Sequence, residues 1–270
     1  MSTQPTSDKS SASLVEIKHV GKVFNPGTVS EVSLFHDFSL SVRRGSFVSV
    51  VGSNGSGKTT VLNILCGSVQ PDSGEVLVNG REISRLSEPQ HSKFIGRVFQ
   101  DPSVGTCPQL TILENLSLAD GKNRRYGIAP GVSKRRVEYY RSQLELLKLG
   151  LENKLNLPVA SLSGGQRQAL ALLICTMTPI ELLILDEHTA ALDPASSENV
   201  MELTERFIRE KEITALMVTH NLRFAVNYGD RLLMMHRGQI VFDAEGEQKK
   251  SLVIHDLTER FDAISIEDGN

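Results

Sequence analysis

The sequence predicts an α/β fold in which a parallel-sheet core carries a phosphate-binding loop, the N-terminal portion is β-rich, and a helical insert interrupts the core. Three observations predict it. Residues 52–60 read Gly-Ser-Asn-Gly-Ser-Gly-Lys-Thr-Thr directly after the apolar run Phe47–Val51, so a strand runs into a glycine-rich loop and then a helix. Leu182–Leu185 and Ala215–Val218 are further apolar runs, as expected of parallel strands buried on both faces. The stretch from about 105 to 160 has no such run, but Val137, Tyr140, Leu144, Leu147 and Leu151 recur at spacings of three and four within a charged background, the mark of an amphipathic helix.

Taken in chain order, residues 1–13 are small and polar with no apolar segment, and are expected to form a disordered tail rather than a signal peptide. Residues 14–20 predict a short strand. Phe38, Leu40 and Val42 alternate with Ser39, Ser41 and Arg43, the period of a half-buried strand. The loop that follows is built for a triphosphate. Gly52, Gly55 and Gly57 let backbone N–H groups point inward between Ser53, Asn54 and Ser56, because a glycine has no Cβ to obstruct them. Lys58 is placed to reach the β- and γ-phosphates, and Thr59 to offer its hydroxyl to Mg²⁺. Thr60 continues a helix whose positive end faces the anion. Towards the C-terminus, Arg231–Asp243 reads as a hairpin around Arg237-Gly238. Residues 244–270 are left as a short, charged extension, too small for an independent domain.

Composition sets the bounds. With 270 residues, 40% hydrophobic and 23% charged, the chain suits one large soluble domain or a core with an insert. A formal charge of −3 provides no general positive field, so no nucleic-acid partner is expected. Lys122, Arg124, Arg125, Lys134, Arg135 and Arg136 form a local basic cluster, read as a solvated face in preference to a headgroup-binding patch. Cys66, Cys107 and Cys175 are widely spaced and odd in number, against a disulfide framework or a zinc site and in keeping with a reducing compartment. No apolar run approaches the roughly 20 residues that span a bilayer.

A second candidate cradle lies at Ser163-Gly164-Gly165-Gln166, preceded by Leu162. A serine and two glycines at a helix start again offer N–H groups and a dipole to an anion, although the segment also reads as an N-capped helix without a ligand. Further along are Asp186-Glu187 at the end of an apolar run, Gln100 in Val-Phe-Gln-Asp, Asp193 in Ala-Leu-Asp, and His220 in Val-Thr-His. Taken one at a time, these are ordinary: an acidic pair at a strand end and a histidine at a helix start are usually solvated. In this order, over about residues 14–243, they resemble the ATP-binding-cassette (ABC) family.

That resemblance implies a P-loop NTPase core with an N-terminal antiparallel β subdomain and a helical insert at about 105–160, the ABC nucleotide-binding domain. It implies an ATPase using ATP and Mg²⁺, working as a head-to-tail homodimer or as a pseudo-dimer with a second ATPase subunit. ATP on one subunit's loop would be covered by the other's Ser163–Gln166. Lys58, Gln100, Glu187 and His220 would carry the chemistry. Glu187 would activate the attacking water, His220 would contact the γ-phosphate, and Thr59, Gln100 and Asp186 would hold Mg²⁺. Asp193 would couple the two sites. Phe24, where the family often has a tyrosine, would stack on adenine, although it also reads as a core aromatic.

The chain departs from the common pattern at His188, where many members have proline. The variant Asp-Glu-His-Thr-Ala-Ala-Leu-Asp is similar to a bacterial group assigned to tryptophan/tyrosine or otherwise uncharacterised uptake systems. The resemblance therefore implies an ATPase subunit at the cytoplasmic face of the cell membrane. It would power a separate integral-membrane permease, supplied by an extracellular substrate-binding protein, with residues around 100–118 as the permease-facing surface. The alternatives are a soluble ABC ATPase of a non-transport system, such as iron–sulfur assembly, or an exporter subunit.

Overall fold

A computed structural model describes residues 13–122 and 131–267. Residues 1–12, most of the expected tail, and Arg124 and Arg125 of the basic cluster lie outside the described residues. Among the described residues ten strands form two sheets: β1 (Ser13–Phe24), β2 (Val32–Arg43), β3 (Phe47–Gly52), β4 (Ser73–Val78), β5 (Arg81–Glu82), β6 (Ile95–Val98), β7 (Leu182–Asp186), β8 (Thr214–Val218), β9 (Arg231–His236) and β10 (Gln239–Glu245). The helices are α1 (Lys58–Cys66), α2 (Glu88–His91), α3 (Ile112–Gly121), α4 (Val137–Glu145), α5 (Gly164–Thr176), α6 (Pro194–Glu210), α7 (Leu222–Asn227), α8 (Gly246–Ser251) and α9 (Ile254–Glu267), with three short 3₁₀ turns in the insert.

The larger sheet has the order β10-β9-β3-β8-β7-β6, parallel except for the β9–β10 hairpin. Its central strands are the apolar runs legible in the sequence, and every residue of β3 and β8 is buried. The smaller sheet is antiparallel, order β2-β1-β4-β5. Both faces of the larger sheet are covered. Val48, Val50, Ile184 and Leu216 pack with α1 and the smaller sheet. Leu183, Leu185, Ala215 and Met217 pack with α5, α6 and the insert. This is the two-sided burial that parallel strands require.

Two details differ from the sequence reading. The first strand runs to Phe24, not residue 20, because register shifts after Ile17 and Val20, with His19 at φ 51°, bend it without breaking its pairing. The helix of the insert is shorter than its periodicity suggests. It stops at Glu145, and Lys148 (φ 55°) and Gly150 (φ 70°) turn the chain, so Leu147 and Leu151 lie beyond it. Tyr140, Leu144, Leu147 and Leu151 are nevertheless all buried in one cluster, so the apolar spacing marks the buried face rather than the helix length. The charged C-terminal segment is folded: Leu257 of α9 is fully buried against Val51 of β3, Ala225 of α7, and Leu232 and Met234 of β9.

Candidate nucleotide site

Parallel pairing aligns the carboxyl ends of three strands. Val50 of β3 pairs with Val218 of β8, which pairs with Asp186 of β7, so the chain leaves the sheet along one edge as residues 52–60, Glu187 and His220. Ligands of open α/β sheets bind outside this edge. Here a cavity of about 370 Å³ is lined by Asn54, Gly55, Ser56, Gly57, Lys58, Thr59 and Thr60, together with Phe24, Glu187 and His220. Residues far apart in sequence thus face one space. Lys22, paired with Asp72 at 2.7 Å, places its ammonium 5.5 Å from the centre of the Phe24 ring.

The loop geometry depends on its glycines. At Gly57 (φ +101°), a Cβ would lie 2.8 Å from the ring of Phe35. At Gly52, it would meet the carbonyl oxygen of Met235 at 2.3 Å. Within the loop, the Lys58 ammonium is buried and donates to the carbonyls of Gly52 and Ser53, both at 2.9 Å, and to the Ser56 hydroxyl. Burial lowers the Lys58 pKa, and the neighbouring Glu187 carboxylate opposes that shift. The cation is therefore held inside the loop, where it is available to a phosphate.

Glu187 and His220 form a pair, Oε1 to Nε2 3.0 Å. Glu187 occupies the left-handed region at φ 48°, a conformation that costs a residue with a side chain about 1–2 kcal/mol. Its N–H donates to Val218 O at 2.9 Å, and its carbonyl accepts from Ala190 N at 2.9 Å. The next residue, His188, is fully buried, and burial pushes its pKa down to about 4, so it is neutral at physiological pH.

Asp186 holds an unexpected partner. Arg97 of β6 donates from Nη2 to Asp186 Oδ2 at 2.6 Å and from Nη1 to Asn63 of α1 at 2.9 Å, with its guanidinium over the ring of Phe99. Asp186 Oδ1 makes no hydrogen bond among the described residues. These donors suit Mg²⁺, which is commonly held by one carboxylate with hydroxyl, water and phosphate oxygens. They comprise Oδ1 of Asp186 at the end of β7 and the Thr59 hydroxyl, of which only Thr59 lines the cavity. Sequence reasoning missed Arg97. Its only signal was a cation between Gly96 and Val98 in a short strand that is otherwise buried.

Gln100 and the Ser163–Gln166 segment lie elsewhere. Gln100 is exposed just beyond β6 and does not line the cavity. Ser163 caps α5: its hydroxyl accepts from Gln166 N at 3.3 Å, while Gln166 Oε1 accepts from Ser163 N at 3.2 Å. With Gly165 and Gln166, it opens on a separate hollow of about 660 Å³, shared with Ser196 and Asn199 of α6. Gly164 precedes Gly165 in the first turn of α5. Asp193 caps α6, its side chain accepting from Ser196 N at 3.0 Å. A single chain therefore presents the phosphate loop and the second cradle to different spaces.

Known proteins share this pattern. Residues 35–190 match the family model described as ABC transporter. The chain is 41% identical over 249 residues to the tyrosine transport ATP-binding protein of Clostridioides difficile, covering 92% of this chain and 99% of that protein. It is 33% identical to the ABC transporter ATP-binding protein YxdL of Bacillus subtilis, over 96% of each chain. Among solved structures, the ADP conformation of the ATP-binding cassette MJ1267 superposes with a TM-score of 0.78 at 25% identity, over 96% of this chain and all of that one. A dimeric post-hydrolysis state of the cassette MJ0796 with ADP and Pi gives 0.70 at 30% identity, over 86% and 98%. With the strand edge, the loop and the second cradle all in the family's order, the chain belongs to the ABC transporter family and is an ATP-binding, ATP-hydrolysing subunit of it.

Proposed function

We propose that this subunit drives uptake of an amino acid or a similar small solute through a separate integral-membrane permease, supplied by an extracellular substrate-binding protein. The observation that carries this reading is the end-to-end 41% identity to a tyrosine transport ATP-binding protein. A thiamine import ATP-binding protein, 32% identical over 90% of its length, points the same way. Among the described residues no helix is long and apolar enough to cross a membrane, which leaves the spanning part to the permease and suits a peripheral position at the cytoplasmic face. Macrolide export proteins are also relatives, but the chain spans about a third of their length.

In the mechanism we favour, the backbone N–H groups of Gly52–Gly57 and the ammonium of Lys58 hold the phosphates of ATP, with Thr59 and Thr60 at the helix end and Phe24 against adenine. Thr59, Asp186 and Gln100 would hold Mg²⁺, which supplies charge neutralisation of the phosphates. Gln100 would reach the nucleotide on closure. Glu187 accepts a proton from the attacking water, and His220, paired with it at 3.0 Å, holds its carboxylate and faces the γ-phosphate. The hollow beside Ser163 and Gly165 does not meet the phosphate loop of its own chain. A second copy of the chain, arranged head to tail, would bring it over the ATP.

Gly165→Trp tests that arrangement. A Cβ there already sits 3.2 Å from Ser196, and an indole would block the cradle. ATP binding by the single chain is expected to persist while hydrolysis falls to the background rate. Unchanged hydrolysis would remove the second cradle from the reaction. Transport itself is tested by isolating Glu187→Gln with ATP and Mg²⁺ from detergent-solubilised native membranes and identifying stoichiometric partners by mass spectrometry. A multi-span permease is expected. Recovery only from the soluble fraction with an assembly scaffold would keep the ATPase and overturn the transporter.

A further inference from the structure

We propose that His188 is a positioning residue for Glu187: its imidazole, anchored on Thr204 of α6, fixes the turn that holds the Glu187 carboxylate towards the nucleotide cavity. The proposal rests on Glu187 being the group that activates water.

The anchor is well defined. His188 is 2% exposed and Thr204 0%. His188 Nε2 lies 3.2 Å from Thr204 Oγ1, and Thr204 Oγ1 donates its only proton to Val200 O at 2.7 Å. Thr204 must therefore accept, which makes Nε2–H the donor and fixes the imidazole tautomer. The bond joins the loop after β7 to the body of α6, more than two turns beyond the Asp193 cap.

The residue it secures needs securing. Glu187 holds a left-handed backbone conformation that persists only where its surroundings impose it. Ahead of it, the N–H is tied to Val218 O at 2.9 Å; behind it, the turn is closed by Ala190 N on Glu187 O at 2.9 Å. His188 sits inside that turn and anchors it to α6 through its own side chain. Ser197 of α6 adds a contact further on, donating to Thr189 O at 3.1 Å. Released from Thr204, the turn would relax towards ordinary dihedrals. The Glu187 carboxylate would then swing from its 3.0 Å contact with His220 without altering the phosphate loop.

A loss of aim, unlike a loss of binding, lowers kcat and leaves KM alone. In the purified full-length chain, His188→Ala and Thr204→Val are each expected to lower kcat for ATP by about 10- to 100-fold, the scale of a small misplacement of a reacting group. KM and the affinity for a non-hydrolysable ATP analogue should stay within roughly twofold. His188→Gln, whose amide N–H lies where Nε2–H does, and Thr204→Ser should restore most of kcat. The double variant His188→Ala/Thr204→Val should be no slower than either single one, since both break the same link. Wild-type kcat in folded Thr204→Val, or a His188→Gln as slow as His188→Ala, would overturn the proposal. Thr204→Val removes one hydroxyl from a buried helix face, so it decides the matter if His188→Ala fails to fold. Glu187→Gln in parallel separates the two readings: wild-type turnover there sinks the role of Glu187 itself, whereas slow Glu187→Gln beside fast Thr204→Val sinks only the anchor.

Discussion

Glu187→Gln is expected to slow ATP turnover by about 10²–10⁴-fold, the usual contribution of a positioned general base, while ATP binding survives. Glutamine keeps the shape and the hydrogen bond to His220 but cannot take a proton from water. Its side chain also removes a negative charge from beside Lys58, where the carboxylate supports the ammonium. Affinity for ATP should thus hold or rise slightly, and the ATP-bound dimer should accumulate. Single-turnover hydrolysis together with size-exclusion chromatography in ATP checks both parts, and wild-type turnover would take Glu187 out of its role.

Lys58→Ala acts at the preceding step. The ammonium is buried and held by three acceptors of the loop, so it is positioned before nucleotide arrives. Losing a charged hydrogen-bond donor to phosphate costs about 1.5–3 kcal/mol, roughly a 10- to 150-fold fall in affinity. The carbonyls of Gly52 and Ser53 also lose the ammonium as a donor. ATP affinity measured by calorimetry should fall by at least that factor, with turnover falling further. Normal affinity in a folded Lys58→Ala would contradict the phosphate-loop role.

Much of this architecture could be read from residue order. The apolar runs at β3, β7 and β8 are uninterrupted enough to show strands buried on both faces, and Gly52 and Gly57 stand where Met235 and Phe35 leave no room for a Cβ. β6 could not be read. It is four residues long and contains Gly96, whose Cβ would meet the Cys175 sulfur at 2.4 Å, and Arg97, which is there for Asp186. A strand shaped by two such local needs carries no periodic signal. The end of α4 was hidden for the opposite reason: its apolar spacing continues past the helix because the following turns fill the same cluster. At the site, residue types announced the loop, the acidic pair and the histidine. The left-handed backbone of Glu187 and the Arg97–Asp186 pair depend on contacts between segments some 90 residues apart or on backbone shape, which no local pattern encodes.

In the head-to-tail pair proposed above, the separation of the phosphate loop from the Ser163–Gln166 hollow would make damage transferable between copies. In a head-to-tail pair, a Lys58→Ala chain and a Gly165→Trp chain place both lesions in one of the two nucleotide sites, and the other is assembled wholly from healthy parts. Each variant alone has two defective sites, so mixing two inactive preparations should regenerate hydrolysis in trans. The yield follows from chance pairing: half of the dimers in an equal mixture are mixed, and each carries one working site.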